Sequence, residues 1–187
     1  RAGAGGGARA SQRAGGGGNR GVGVGDGGAL FVPAGIECVA LTFALFKLGA
    51  VPVLADPGMG RKRLLASVAR IRPRVMIGVA KAHAARHLFP AAFESVQISV
   101  AVGRRMLWSG VSLAAIESDG ARAGEDELDL LADTGAQDEA AILVTSGSTG
   151  PPKGGRYTHG TFHAQTLALK ALYGFEAAEV GLACVPL

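Results

Sequence analysis

The feature that most constrains the fold is a regular alternation of short apolar runs with helical patterns from Ala29 onward. Apolar runs of strand length are found at residues 29–33, 50–56, 74–80, 96–102 and 140–145. Helical patterns follow the first three runs, and Gly49 and Pro73 are placed to end two of these helices. Alternating strands and helices favour a largely parallel sheet with helices on its faces. The sequence therefore predicts an α/β fold.

The residue patterns also predict how some of these elements pack. The helix after Pro33 is apolar nearly all round, so we expect it to pack on both sides. Residues 96–102 alternate cleanly between apolar and other residues, which is typical of an edge strand. Residues 103–140 are less regular, with one or two helical turns in SLAAIES and an acidic connection after it. A later helix is expected from about Thr158 to a stop at Gly174, with one more strand beginning near the end of the chain.

The first 28 residues differ in composition from the rest of the chain. They contain 13 of the 30 glycines and almost no large apolar side chain. Such a segment buries too little surface to offset its backbone entropy, which predicts a disordered Gly/Arg-rich segment at 1–28 and a folded region at 29–187. An RNA-binding tail is the functional alternative, but the segment lacks the aromatic residues that stack on bases.

Charge and hydropathy exclude several classes of function. The formal net charge is +4, of which +3 falls within the first 28 residues, so the folded region is close to neutral and predicts no nucleic-acid partner. The most apolar stretch, 36–55, is interrupted by Glu37, Lys47 and Pro52 and predicts no membrane span. The start of the chain has no apolar signal core, and Cys38 and Cys184 lie far apart, so we expect a cytoplasmic protein with reduced, buried thiols.

The residues that indicate function directly follow the apolar run 140–145. Thr145, Ser146, Ser148 and Thr149 supply four hydroxyls around Gly147, and Gly150, two prolines and Lys153 follow. Glycines allow backbone amides to approach a ligand, and the hydroxyls and the lysine can bind an anion that has many oxygens. Ligands of parallel sheets bind beyond the carboxyl ends of the strands, where this loop is expected between a strand and a helix. The stretch predicts a polyphosphate site, with a surface linker as the alternative.

The loop does not fit the spacing of the P-loop NTPases, because Gly154 stands where a magnesium-binding Ser or Thr would follow the lysine. Instead, TSGSTGPPKG (145–154) resembles the signature of the adenylate-forming (AMP-binding) enzymes, which include acyl-CoA synthetases. The stretch at 40–60 resembles the early helix, strand and turn of that family. GVAKAHAARHLF (78–89), VGRRMLWSG (102–110) and YTHGTFHAQ (157–165) are most similar to the long-chain fatty-acyl branch, which includes the olefin β-lactone synthetases.

This resemblance implies that residues 29–187 are part of the family's large N-terminal domain, truncated at the C-terminal side and inactive alone. The family reaction uses ATP and Mg²⁺ to convert a carboxylic acid, here of the fatty-acyl class, into an acyl-adenylate with release of pyrophosphate. The acceptor is coenzyme A, a carrier protein or the substrate's own hydroxyl. By match to the motif, the phosphates are gripped by Thr145, Ser146, Gly147, Ser148, Thr149, Gly150 and Lys153, with Lys153 as the catalytic residue. The alternative function is a non-catalytic nucleotide-binding or phosphate-binding α/β module.

Other polar residues carry weaker indications. The pairs His83/His87 and His159/His163 have the i, i+4 spacing of zinc ligands on a helix, but the sequence places no third ligand, so we predict no metal site. Gly155 and Arg156 depart from the small apolar residues that usually follow PKG in the family. Arg156 is within reach of a phosphate, but a solvated arginine is the favoured interpretation.

Overall fold

The computed structural model describes residues 21–103, 110–122, 131–145 and 153–174. The strands within these ranges are β1 Gly27–Phe31, β2 Val51–Ala55, β3 Val75–Gly78, β4 Ile98–Ala101, β5 Val111–Ser112, β6 Glu139–Thr145 and β7 Lys153–Thr158. The helices are α1 Ile36–Lys47, α2 Arg61–Ile71, α3 Ala80–Leu88, α4 Leu113–Arg122 and α5 His159–Tyr173, with short 3-10 turns at Pro57–Met59 and Pro90–Phe93.

The strands form one sheet in the order β5-β4-β3-β1-β2-β6-β7. Neighbouring strands from β5 to β6 run parallel, and β7 alone is antiparallel to its neighbour β6. Helices lie between β1 and β2, between β2 and β3 and between β3 and β4, because parallel neighbours need a crossover connection. This mostly parallel sheet with flanking helices confirms the predicted α/β class.

Helices cover both faces of the sheet. On one face, α1 and α4 contribute Leu45 and Ile116 to a core that includes Val75 and Ile77 of β3. On the other face, Val68 of α2 packs with Met76, Phe93 and Val96, and Ala82 of α3 lies against this cluster. Within the described residues, no helix has both the length and the apolar character needed to cross a membrane.

The helix boundaries follow from a few local signals. α1 stops where Gly49 adopts a φ of 66°, and α5 stops at Gly174, whose φ is 68°. The hydroxyl of Thr158 caps α5 by accepting a hydrogen bond of 3.1 Å from the amide of Thr161. The two glycine stops and the helix start near Thr158 were predicted from the sequence and are confirmed, whereas the capping role of the Thr158 hydroxyl was not predicted.

The predicted boundary at residue 28 is wrong, because β1 begins at Gly27 and residues 21–28 are ordered. Val22 is only 4% exposed within the α1 and α4 core, and Asp26 forms an ion pair with Arg74. Gly28 lies against α1, where an added Cβ would come within 3.1 Å of Leu45. Glycine in this strand therefore allows close packing and is not a sign of flexibility, while residues 1–20 lie outside the described residues.

Two predictions about packing are also wrong. Residues 96–102 do not form the edge, because β5 pairs with β4 on its outer side. α1 does not pack on both sides within the described residues, since Ile36 is 91% exposed and Phe43 is 60% exposed. The short helix predicted in SLAAIES is the ten-residue α4. The first part of the acidic connection after it, up to residue 130, and the predicted last strand lie outside the described residues.

Candidate functional site in the hairpin loop after β6

The structure brings the two ends of the predicted phosphate loop together. Thr145 is the last residue of β6 and lies opposite Lys153, the first residue of β7. Directly opposed residues in an antiparallel pair have Cα atoms about 5 Å apart, so the two ends of the seven-residue connection lie close together. The other predicted ligands, Ser146, Gly147, Ser148, Thr149 and Gly150, lie outside the described residues.

The position of β6 in the sheet places this loop at the carboxyl edge of the parallel strands. Val144 pairs with Ala55 at the end of β2, so the loop begins beside the turn that follows β2. In that turn, the carboxylate of Asp56 accepts a hydrogen bond of 2.7 Å from the amide of Gly58. Since parallel α/β sheets bind their ligands at this edge, the location agrees with the predicted anion site.

The connection from the loop to α5 differs from the expected one. The strand β7 intervenes, so the loop does not run directly into a helix. The first amides of α5 are already occupied: His159 donates to the carbonyl of Asp138 at 3.1 Å and Gly160 to that of Ala136 at 2.8 Å. The amide of Thr161 donates to the hydroxyl of Thr158, which caps α5. The N-terminus of α5 is therefore not an anion site of the P-loop kind.

The glycine after Lys153 allows β7 to pack closely against the sheet and α2. A Cβ at Gly154 would lie 3.1 Å from Cγ2 of Ile142 and 3.9 Å from Cδ1 of Ile71. Lys153 itself is exposed and makes no hydrogen bond or ion pair with other described residues. The start of β7 thus presents a cation that is available to a ligand at the mouth of the loop.

Aromatic contacts fix the end of β7 that lies away from the loop. The sequence interpretation missed these contacts. The ring of Tyr157 stacks on that of Phe162 with centroids 5.4 Å apart and an angle of 18°. Phe46 of α1 contacts Phe162 at 5.9 Å and the ring of His159 at 6.1 Å. These contacts fix β7 against α5 and α1. The available signal was the presence of aromatic residues on both sides of the Thr158 cap.

Arg156 does not contribute to the loop end of the hairpin. Its side chain is 75% exposed, and its Nε lies 3.2 Å from Oε1 of Glu139, without the alignment of a hydrogen bond. Arg156 pairs with Ile142 in the register of β6 and β7, three residues away from Lys153. The ion pair lies along the hairpin, as expected for a solvated arginine.

Replacing Arg156 with alanine is therefore expected to leave pyrophosphate exchange by the intact protein within about twofold of its original rate. The lost ion pair should lower the free energy of unfolding by about 1 kcal/mol, because Arg156 is exposed but Oε1 of Glu139 is buried and loses its counter-charge. Exchange of labelled pyrophosphate into ATP and denaturant unfolding measure the two effects. A large loss of exchange in a variant of unchanged stability would place Arg156 among the phosphate ligands.

The remaining candidate groups are explained by packing. His83 is 2% exposed, and its Nε2 donates to the carbonyls of Gly78 at 3.1 Å and Val100 at 3.2 Å, so it joins the ends of β3 and β4. Across the four described ranges, no three His, Cys, Asp or Glu side chains are grouped to hold a metal ion. Cys38 is a half-buried free thiol, and burial raises its pKa, which disfavours the reactive thiolate. Cys184 lies outside the described residues.

The interior offers little room for a substrate near α1 and α4. A cavity of about 40 Å³ lies between these helices and the sheet, and Val22, Leu45 and Ile116 are among its apolar walls. This volume has room for a few water molecules at most, so the cavity does not accommodate an acyl chain. The loop at the carboxyl edge remains the candidate site.

The mostly parallel sheet, with the predicted loop following β6 at its carboxyl edge, is the arrangement of α/β domains that bind ligands at that edge. The sequence matches the family of AMP-binding enzymes over residues 8–187. The chain belongs to this family, whose members form acyl-adenylates. The match begins upstream of residue 29, where the folded region was predicted to start.

Two curated relatives have a more specific name. The chain is 42% identical over 179 residues to an olefin beta-lactone synthetase from Stenotrophomonas maltophilia, covering 96% of this chain and 32% of that protein. It is 44% identical over 166 residues to an olefin beta-lactone synthetase from Xanthomonas campestris pv. campestris, covering 89% of this chain and 29% of the relative. The chain thus spans about a third of the length of these relatives.

Solved structures share the fold at lower sequence identity. A long-chain-fatty-acid-CoA ligase from Archaeoglobus fulgidus superposes with a TM-score of 0.78 and 21% identity, covering 99% of this chain and 34% of the ligase. The anthranilate CoA ligase AuaEII, solved with anthranoyl-AMP, gives a TM-score of 0.73 and 20% identity, covering 90% of this chain and 30% of the ligase. At this identity, the superpositions support the fold alone.

Proposed function

We propose that the intact protein is an ATP-dependent ligase that joins a carboxylic acid of the fatty-acyl class to AMP and releases pyrophosphate. The observation that carries this proposal is the pairing of Thr145 with Lys153 at the carboxyl edge of the sheet, which closes the TSGSTGPP segment into a loop with a cation at its mouth. Membership of the AMP-binding family supports the choice of ATP as the nucleotide. A cytoplasmic location would supply that ATP.

The proposed reaction transfers an adenylyl group. A carboxylate oxygen attacks the α-phosphorus of ATP and forms a new P–O bond. The bond from that phosphorus to the bridging oxygen breaks, and the electron pair leaves with pyrophosphate. Negative charge therefore builds up on the β- and γ-phosphates, and fixed donors around them lower the barrier. Holding these phosphates also aligns the α-phosphorus with the attacking oxygen.

The chain's own residues supply those donors in this proposal. Backbone amides and hydroxyls of residues 145–150 bind the phosphate oxygens, with Gly147 and Gly150 allowing the close approach. Lys153 adds a positive charge on the first residue of β7, which is fixed by its pairing with β6. Because Gly154 offers no hydroxyl, we assign Mg²⁺ to the oxygens of the nucleotide, where it would neutralise phosphate charge.

The name shared by the two curated relatives supports a β-hydroxy acid as the substrate. A β-lactone forms when the 3-hydroxyl of such an acid attacks its activated carboxyl carbon and AMP leaves. In that case the substrate carries its own acceptor, and neither coenzyme A nor a carrier protein is needed. A fatty acid without the hydroxyl would stop at the acyl-adenylate or require a thiol acceptor.

The proposal is tested by exchange of labelled pyrophosphate into ATP, with the intact protein and matched long-chain acids that carry or lack a 3-hydroxyl. We expect exchange with both acids and conversion to a lactone with the 3-hydroxy acid alone, in the absence of coenzyme A. Conversion that depends on coenzyme A would assign the protein to the thiol ligases. ATP binding without exchange for any acid would support a non-catalytic module and contradict the proposal.

A further inference from the structure

Cations are concentrated in the part of the chain that includes α2 and α3, although the folded region is nearly neutral in sum. Residues 61–97, which include α2 and α3, contain eight Lys and Arg residues and one acidic residue, Glu94. By contrast, the described residues 113–122 and 131–145 contain five Asp and Glu residues and one Arg. Because α2 and α3 share one face and α4 packs on the other, the described structure has one strongly basic side.

The cations of this side point outward. Val68 and Ser67 of α2 are buried, whereas Lys62, Arg63 and Arg70 are exposed. Lys81 at the start of α3 is exposed as well. We call the four exposed cations Lys62, Arg63, Arg70 and Lys81 the basic face. Three of them, Lys62, Arg70 and Lys81, form no ion pair with other described residues.

The positions of these cations do not stabilise the folded chain by itself. The first turn of α2 contains three consecutive cations and no acidic residue. A helix N-terminus already carries partial positive charge, so cations there are destabilising unless an anion lies nearby. Arg61 is partly compensated by lying over the ring of Phe89, 5.7 Å from its centroid. Lys62 has no such contact with the described residues, and an external anionic surface would supply the missing interaction.

We propose that the basic face binds the surface of an anionic lipid membrane. An apolar side chain accompanies the charges: Leu88, the last residue of α3, is 72% exposed and lies two helical turns from Lys81 on the same side of that helix. Cations attracted to lipid headgroups, combined with an exposed leucine that enters the interface, are typical of proteins that bind peripherally to membranes. The inference does not depend on which acid the protein activates.

A membrane fits these residues better than a nucleic acid does. The basic face has no exposed aromatic side chain among its members to stack on bases. Its cations are spread over two helices and do not converge on one point, as binding of a single small anion would require. A broad anionic surface interacts with all of them at once.

The test is flotation of the intact protein with phosphatidylcholine vesicles that contain or lack phosphatidylglycerol, at low and high salt. We expect binding only to the anionic vesicles, weakened by salt. Replacing Lys62 and Arg70 together with glutamine should weaken binding roughly thirtyfold, since each charge near such a surface contributes about 1 kcal/mol. Leu88→Ser should weaken binding to anionic vesicles while leaving its salt dependence unchanged.

The matched control removes the same charge from the other side of the sheet by replacing Lys47 and Lys170 with glutamine. This variant should bind anionic vesicles within about twofold of the original protein, because charges beyond a Debye length are screened. Circular dichroism checks that both double variants remain folded. Equal weakening by the two double variants would show a response to net charge alone and overturn the proposal. Binding to single-stranded RNA but not to vesicles would assign the basic face to nucleic acid and would also overturn the proposal.

Discussion

Replacing Lys153 with alanine in the intact protein is expected to lower the rate of ATP–pyrophosphate exchange by roughly 100-fold to 1,000-fold, the usual effect of removing one donor that stabilises transition-state charge. Lys153 is the charged residue fixed at the mouth of the loop by its pairing with Thr145. Its exposed side chain has no partner among the described residues, so its loss should leave the fold intact. The exchange assay with a saturating acid and ATP measures the effect.

The control for this variant is Lys170→Ala, which removes an exposed lysine from α5 and should leave exchange unchanged. Lys153→Arg should restore part of the rate, because it keeps the charge but changes the geometry of the donors. Unfolding curves that match those of the original protein exclude a structural cause. Normal exchange by the alanine variant would remove Lys153 from the proposed mechanism.

Replacing Gly49 with alanine is expected to lower the free energy of unfolding by roughly 3 kcal/mol, from strain and crowding together. Gly49 has a φ of 66°, and its carbonyl accepts a hydrogen bond of 2.8 Å from the amide of Gly25. An added Cβ would lie 2.8 Å from that of Ala132 and 2.9 Å from Cγ2 of Val24. Three segments meet at this point, and none can move without disturbing the others.

Gly174→Ala provides the matched comparison. Gly174 also follows a helix and has a φ of 68°, but an added Cβ there would meet no atom within 4 Å. The Gly174→Ala substitution should lower the free energy of unfolding by about 1 kcal/mol, which is the strain of the left-handed backbone alone. Denaturant unfolding followed by circular dichroism compares the two variants. Equal losses would show that crowding at Gly49 has no energetic effect.

The sequence predicted the elements whose periodicity is strong and whose ends have clear signals. β2, α2 and β3 were found from their apolar patterns, and Pro73 lies in the short connection between α2 and β3. β5 was missed because its two residues, Val111 and Ser112, are too few to show a pattern. Gly27 and Gly28 were assigned to the disordered segment because their roles depend on contacts with residues distant in sequence, Pro73 for Gly27 and Leu45 for Gly28.

The residue types of the loop were sufficient to predict the candidate site, but they did not predict the strand and the ion pair that lie beside it. The hydroxyls, glycines and lysine of TSGSTGPPKG indicated phosphate binding, and the apolar run before them indicated the strand end. β7 was missed because KGGRYT has no apolar alternation and its strand structure comes from pairing with β6. The ion pair of Arg156 with Glu139 depends on the same pairing, so the position of Arg156 could not be deduced from its place after the lysine.

The pairing of β2 with β6 also determines when the candidate site forms during folding. Val53 and Ile142 are neighbours across this pair although 89 positions separate them in sequence, whereas Thr145 and Lys153 are local. Local hairpins close quickly, and long-range parallel pairs form slowly because a large loop must be ordered first. The hairpin is thus expected to exist before it docks, and affinity for a nucleotide should be acquired in one of the last steps by which a newly made chain reaches its native state.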